Sequence, residues 1–284
     1  MPRRSHLLCC RPPTNQRNTQ LALVPISREI HARTKVRPLS SLSFARETAT
    51  VQVCGAEIAA IGQELPVVFA RSGDGFIPVA LLGFRPQQNL LIDPQGRWLG
   101  HHLPAVWRRG PFRLAHIAGE AEGKMALCLD DSDEHLNESE GQSLFDESGA
   151  PTALVNTASA LLTQIERDAR MTHALCATLD RFELIVPWDL DITQPDGTAQ
   201  RVGGLFRVDE ARIATLSADA LVEVRDAGAL PVIYAHLLSL SKISTLGRLA
   251  RLANERTQQQ TAMQNGNLNL DRAFGIVEDD PFLF

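Results

Sequence analysis

Several things are scarce in this chain of 284 residues, and each scarcity removes a class of protein. Cysteine occurs five times, as Cys9, Cys10, Cys54, Cys128 and Cys176, an odd number with no Cys-x-x-Cys pair. That argues against a disulfide framework and makes a reducing, cytoplasmic compartment the default expectation. Long apolar runs are missing. Nothing approaches the ~18 residues of a membrane helix, and Leu7-Leu-Cys-Cys10 falls short of the roughly 7–15 residues of a secretory core. Excess positive charge is missing too. The net charge of −5 argues against a general nucleic-acid binder, whose affinity rests on neutralising phosphates. Lysine is rare, with Lys35, Lys124 and Lys242 as its three instances among 28 basic residues. With 44% hydrophobic and 21% charged residues, the chain has ordinary globular composition.

The motifs of familiar chemistries are also absent. There is no Gly-x-x-x-x-Gly-Lys phosphate loop, no Gly-x-Ser-x-Gly elbow and no His-Glu-x-x-His. Gly73-Asp-Gly75 lacks the third glycine and the following helix of a dinucleotide site. A calcium loop starting at Asp131 would need glycine at its sixth position, where Leu136 stands. His101 and His102 adjoin, but on an extended segment neighbouring side chains face opposite ways. No spacing brings three ligands together. No metal and no cofactor is therefore expected.

Charge is unevenly spread. Residues 1–37 carry eight Lys/Arg against one acid, Glu29, so the body is acidic behind a basic leader. Residues 1–20 show no fold signal. They fit a disordered arm for an anionic surface, a targeting peptide, or an extension from too early a start codon. Between 130 and 150 stand Asp130, Asp131, Asp133, Glu134, Glu138, Glu140, Asp146 and Glu147 without a base, which reads as a solvated loop and a potential subdivision.

The remaining text alternates between β and α patterns. Short apolar runs from Ser43–Arg46 onward, punctuated by Ser72-Gly-Asp-Gly75 and Asp93-Pro-Gln-Gly96, predict an antiparallel meander over roughly 50–115. A second hairpin unit spans 182–208, turning at Gln194-Pro-Asp-Gly197. Apolar residues at three and four spacing from Leu154 to Leu179 predict a helix of about 28 residues. A second long helix is expected over Leu230–Asn254, and residues 255–284 read as a polar, mostly disordered tail. The fold class is α+β: a meander and a second hairpin unit packed with two long helices, in one domain over 21–254.

Two clusters attract a chemical reading. Trp98, Trp107, Arg108 and Arg109 put aromatic and guanidinium groups close together, which suits anion or peptide-carboxylate recognition, or simple packing of tryptophan under arginine stems. Asp189 and Asp191 share a strand face near Arg207, which makes paired carboxylates available for acid/base work, or for a solvated ion-pair face. His236 sits in an apolar helix stripe and suits either a hydrogen-bonded core histidine or a general base.

Several segments occur together in one order: Val24-Pro-Ile, Leu42-Ser-Phe-Ala45, Pro66-Val-Val-Phe69, Pro78-Val-Ala-Leu-Leu-Gly-Phe84, Gly96-Arg-Trp98, Pro104-Ala-Val-Trp-Arg-Arg109, Leu144-Phe-Asp146, Gly203-Gly-Leu-Phe-Arg-Val-Asp-Glu210 and Ile233-Tyr-Ala-His-Leu-Leu-Ser-Leu240. In this the chain resembles the bacterial SapC family, from near Val24 to near Arg251. The family takes its name from a surface-layer-associated protein. The resemblance implies surface-layer association, with the cell surface as the alternative compartment, and transfers no catalytic residue. The expected function is a non-catalytic binding or structural protein that recognises a peptide, a small ligand or a surface-layer protein. The alternative is an enzyme using Asp189, Asp191 and His236. Neither nucleic acid nor a membrane span is expected, and the sequence does not disclose the oligomeric state.

Overall fold

A computed structural model describes residues 23–116, 125–193 and 199–273. In chain order the elements are β1 (Leu23–Pro25), α1 (Arg28–His31), β2 (Lys35–Val36), β3 (Thr50–Gln52), α2 (Gly55–Ile61), β4 (Val67–Ser72), β5 (Gly75–Leu81), α3 (Ala105–Arg108), β6 (Phe112–His116), β7 (Met125–Asp130), β8 (Leu136–Asn137) and β9 (Gln142–Ser143). They continue with α4 (Ala153–Arg181), β10 (Ile185–Thr193), β11 (Ala199–Val208), α5 (Glu210–Ala214), α6 (Ala218–Asp226), α7 (Ala229–Ser239) and α8 (Ile243–Ala273). Helices and antiparallel sheets together make the fold α+β.

The central sheet has the order β10-β11-β4-β5-β3. Its inner hairpin closes at Ser72↔Gly75 over a two-residue loop, with Gly73 at φ +58°. A positive first position is the II′ pattern, whose twist matches that of the strands. The second hairpin, β10 with β11, joins this sheet through Phe206↔Phe69. Opposite Asp189 the register shifts, and Gly204 at φ +78° absorbs the extra residue as a bulge. Two smaller sheets, β1-β7-β6 and β8-β2-β9, stand beside it.

Helix α4 ties the parts together. Its N-terminal half gives Val155, Ala158 and Leu162 to the core under the small sheets. Its C-terminal half gives Leu175, Cys176 and Leu179 to the central core. Twenty-nine residues at ~1.5 Å each reach across both cores, which explains a helix longer than most globular ones.

The structure departs from the sequence pattern in five places. Ser43–Ala45 is a 3-10 turn, not a strand, because Ser41 Oγ accepts from the backbone N–H of Ser43 and offers the chain a local alternative. The meander ends at Leu81. Residues 82–104 are irregular apart from the bridge Ile92↔Trp98, and Phe112–His116 pairs with β7 in another sheet. Pro86, Pro94, Pro104 and Pro111 withhold the donors a continuing ladder would need. The acidic stretch is not all loop, since β8 and β9 flank β2 within it. The last long helix is broken at Leu240–Lys242, where Ser239 and Ser241 hydroxyls donate back to the carbonyls of His236 and Leu238. Beyond the break, α8 continues to Ala273 without a proline to stop it, over ground that reads as tail. The basic leader (1–20), the Gln194–Gly197 turn and residues 274–284 lie outside the described residues.

By length and composition, the helical run Ala229–Thr261 is long and apolar enough to cross a membrane. In the fold, its Val232, Ile233, His236, Ser239 and Leu246 are buried.

Candidate functional site

The strongest convergence of polar side chains starts at the N-terminus of α2. Cys54 is its N-cap, and Glu57, at the third helical position, reaches back to accept from the Cys54 N–H at 3.4 Å. This is a capping box with a thiol in the place of the usual hydroxyl. A carboxylate there also complements the helix dipole. Glu57 does more than cap. Its Oε1 accepts from His102 Nε2 at 3.0 Å, from the Ala105 N–H at 2.8 Å and from the Arg108 guanidinium at 3.2 Å. The side chain is 8% exposed. Because the carboxylate accepts, Nε2 of His102 carries the proton.

One helix length away, Glu64 holds the same loop. Its Oε2 accepts from the His101 N–H at 2.7 Å, its Oε1 from the His102 N–H at 3.3 Å. Residues 100–105 are thus strung between two carboxylates seven residues apart. Close by, Trp98 and Trp107 meet edge to face, with centroids 5.6 Å apart, and Phe44 stands against Trp107 at 6.4 Å. The two indoles cover Leu42, Ala45 and Ile92. The indole N–H of Trp98 is buried without a hydrogen-bond partner among the described residues.

The candidates from sequence are distributed as follows. Trp98, Trp107 and Arg108 do come together, around Glu57 and the aromatic cluster. Arg109 leaves them. It is half-buried, and burial together with Arg113 pushes its pKa down to about 10. Arg207 lies exposed on β11 over the Trp188 ring, 5.8 Å from its centroid. Asp189 and Asp191 share a face, as alternation predicts, but both are exposed and paired with Arg201, at 3.7 Å and 2.9 Å. His236 is elsewhere and fully buried. Its Nδ1 donates to the Val67 carbonyl at 2.8 Å, and its Nε2 accepts from the Val208 N–H at 3.1 Å. Desolvation, reinforced by the charge of Arg207, lowers its pKa to about 4. The three proposed acid/base groups therefore do not face one another.

The chemistry open to the Glu57 cluster is narrow. A general base needs a lone pair aimed at a substrate, and a carboxylate oxygen has about two such directions. Three donors already converge on Oε1. The neighbouring thiol is no nucleophile, since burial and the charge of Glu57 raise the Cys54 pKa to about 11. Among the described residues, no three His, Cys, Asp or Glu side chains converge to hold a metal ion.

Two grooves stand out on the surface of the described residues. The larger, about 500 Å³, lies between the residues after β5 (Phe84, Arg85, Gln88), the end of β10 (Asp191, Ile192) and one face of α8. The smaller, about 230 Å³, is lined by Glu64, Gly100 and His101 opposite Lys242 and Leu246. Neither is lined by Trp98, Trp107, Arg108 or His236.

Glu57, Glu64, Arg248 and Arg251 were not among the residues the sequence singled out. For Glu57 one signal existed, the Cys54-x-x-Glu57 spacing of a capping box, masked by cysteine in the N-cap position.

Fold and site together define an α+β protein whose buried polar side chains clamp backbone. The chain belongs to the SapC family, whose model matches residues 26–246. No curated protein and no solved structure was found to match it.

Proposed function

We propose that this SapC-family chain is a non-catalytic binding or structural protein that recognises a peptide, a small ligand or a surface-layer partner. The observation that supports this most strongly is the saturation of Glu57. Among the described residues, the one buried acid that meets both an imidazole and a guanidinium spends its oxygens on three backbone and side-chain donors of the 102–108 segment and on its own helix cap. His236, one of the three acid/base candidates from sequence, has both ring nitrogens committed to strands. Surface-layer association is part of the proposal through the family resemblance, and fractionation of cells into cytoplasm and envelope tests it.

The enzyme alternative rests on one feature, the meeting of Glu57, His102 and Arg108 within bonding distance. A panel of ester, phosphate, glycoside and peptide substrates separates the readings. Under the binding proposal, no turnover by purified protein depends on His102 or Glu57. Turnover that vanishes in His102→Ala while the melting temperature stays unchanged would overturn it.

A further inference from the structure

We infer that the larger groove binds an extended acidic peptide segment that also carries apolar side chains; this rests on the binding reading above and names the ligand class. The groove runs along α8 from Ile243 to Asn254. At ~1.5 Å per residue that is about 16 Å, the span of roughly five residues of extended chain.

Its charge is one-sided. Arg85 stands on one wall, and Arg248 and Arg251 project from α8 at a spacing of three, which places them on one helix face. Among the described residues, neither Arg248 nor Arg251 pairs with a carboxylate; Arg248 donates to Thr245 Oγ1 of its own helix. The groove's one acid, Asp191, is already held by Arg201 at 2.9 Å. Arginine's planar fork matches carboxylates and stays charged at any physiological pH. In a chain with 33 acids against 28 bases, a groove with two guanidinium groups that pair with no described carboxylate, and with one neutralised acid, is selective for negative partners.

Between these charges the surface is apolar. Phe84, Ile192, Ile243 and Ala250 supply it. Gly247 adds a side-chain-free stretch of helix wall, since a Cβ there would meet nothing within 4 Å. A backbone can lie close against such a wall. The opposite wall is fixed, because the Gln200 side chain donates to the Phe84 carbonyl at 3.0 Å. Alternating acidic and apolar side chains satisfy both kinds of surface, whereas a bare oxyanion leaves the apolar part unused.

Fluorescence anisotropy on the full-length protein tests this with three probes: a labelled peptide alternating glutamate with leucine, the same peptide with lysine for glutamate, and inorganic phosphate as competitor. Saturable binding of the acidic peptide, weakening with salt, is expected. The Arg248→Glu, Arg251→Glu double variant should lose at least tenfold in affinity, and Gly247→Leu should lose binding by filling the wall, both at unchanged melting temperature. No binding by the parent protein, equal binding by the double variant, equal binding of the lysine peptide, or displacement by millimolar phosphate would each overturn the inference. None of these results touches the substrate panel, so the two proposals fail separately.

Discussion

Val208 on β11 gives its backbone N–H to Nε2 of His236, while the same ring gives its Nδ1 proton to Val67 on β4. One imidazole on α7 therefore bridges two adjacent strands of the central sheet. It can do so only as the neutral Nδ1–H tautomer, because a protonated Nε2 would face the Val208 donor.

A pH dependence follows. The folded pKa is about 4 against 6.5 for an exposed histidine. Below 6.5 the unfolded chain takes up a proton that the folded chain refuses. The stabilisation is complete above pH 6.5 and is lost as pH falls toward 4, by about 3 kcal/mol in all. Urea unfolding at pH 7 and pH 4.5 should show the drop, and His236→Gln should abolish most of the slope between them. An equal slope in the variant would contradict this role.

Thr172 anchors α2 to α4. Its hydroxyl accepts from the Gly55 N–H at 2.7 Å and donates to the Asp168 carbonyl. Thr172→Val should cost about 1–2 kcal/mol by stranding a part-buried amide, while Thr172→Ser should recover most of it. Chemical denaturation of both variants checks the difference.

The three described thiols should be inert in the folded state. Cys54, Cys128 and Cys176 are buried, and burial raises all three pKa values, that of Cys176 to about 12. In a Cys9→Ser, Cys10→Ser background, Ellman's reagent at pH 8 should label fast only after denaturant is added. Immediate labelling of native protein would place a thiolate at the surface.

Two glycines separate backbone strain from collision. Gly73 and Gly96 both have positive φ, but a Cβ on Gly73 meets open space while one on Gly96 runs into the Ser41 hydroxyl. Gly73→Ala should cost about 1 kcal/mol, from backbone strain alone. Gly96→Ala should cost clearly more, about 2–3 kcal/mol, because the Asp93–Gly96 turn also accepts from the Leu42 N–H at 2.8 Å. Equal melting temperatures for the two would show that the Ser41 contact yields freely.

What could be read in advance depended on range. Helix α4 was legible because its period repeats for eight turns, and the β4–β5 hairpin because its turn residues sit between its strands. The Trp98–Trp107–Arg108 grouping was legible because eleven residues contain it. The Glu57 cluster was not. Glu57 and His102 lie 45 residues apart, and they meet only because an irregular, proline-interrupted segment folds back on α2. The bend at Leu240–Lys242 was hidden for a related reason: serine hydroxyls redirect a helix without disturbing its apolar period. His236 reads in sequence as a core histidine ahead of a general base, but its two backbone partners could not be named, because they come from strands 169 and 28 residues away.

Stability itself distinguishes a structural carboxylate from a catalytic one, because replacing a catalytic group tends to relieve strain, whereas replacing a clamp removes support. The decisive measurement is the unfolding free energy of Glu57→Gln at pH 7. A hub whose four donors lose a charged acceptor should destabilise the protein by about 2–3 kcal/mol, with Arg108→Ala accounting for only part of the loss. A variant as stable as the parent, or more stable, would mean that Glu57 is held ready for chemistry, and would contradict the account.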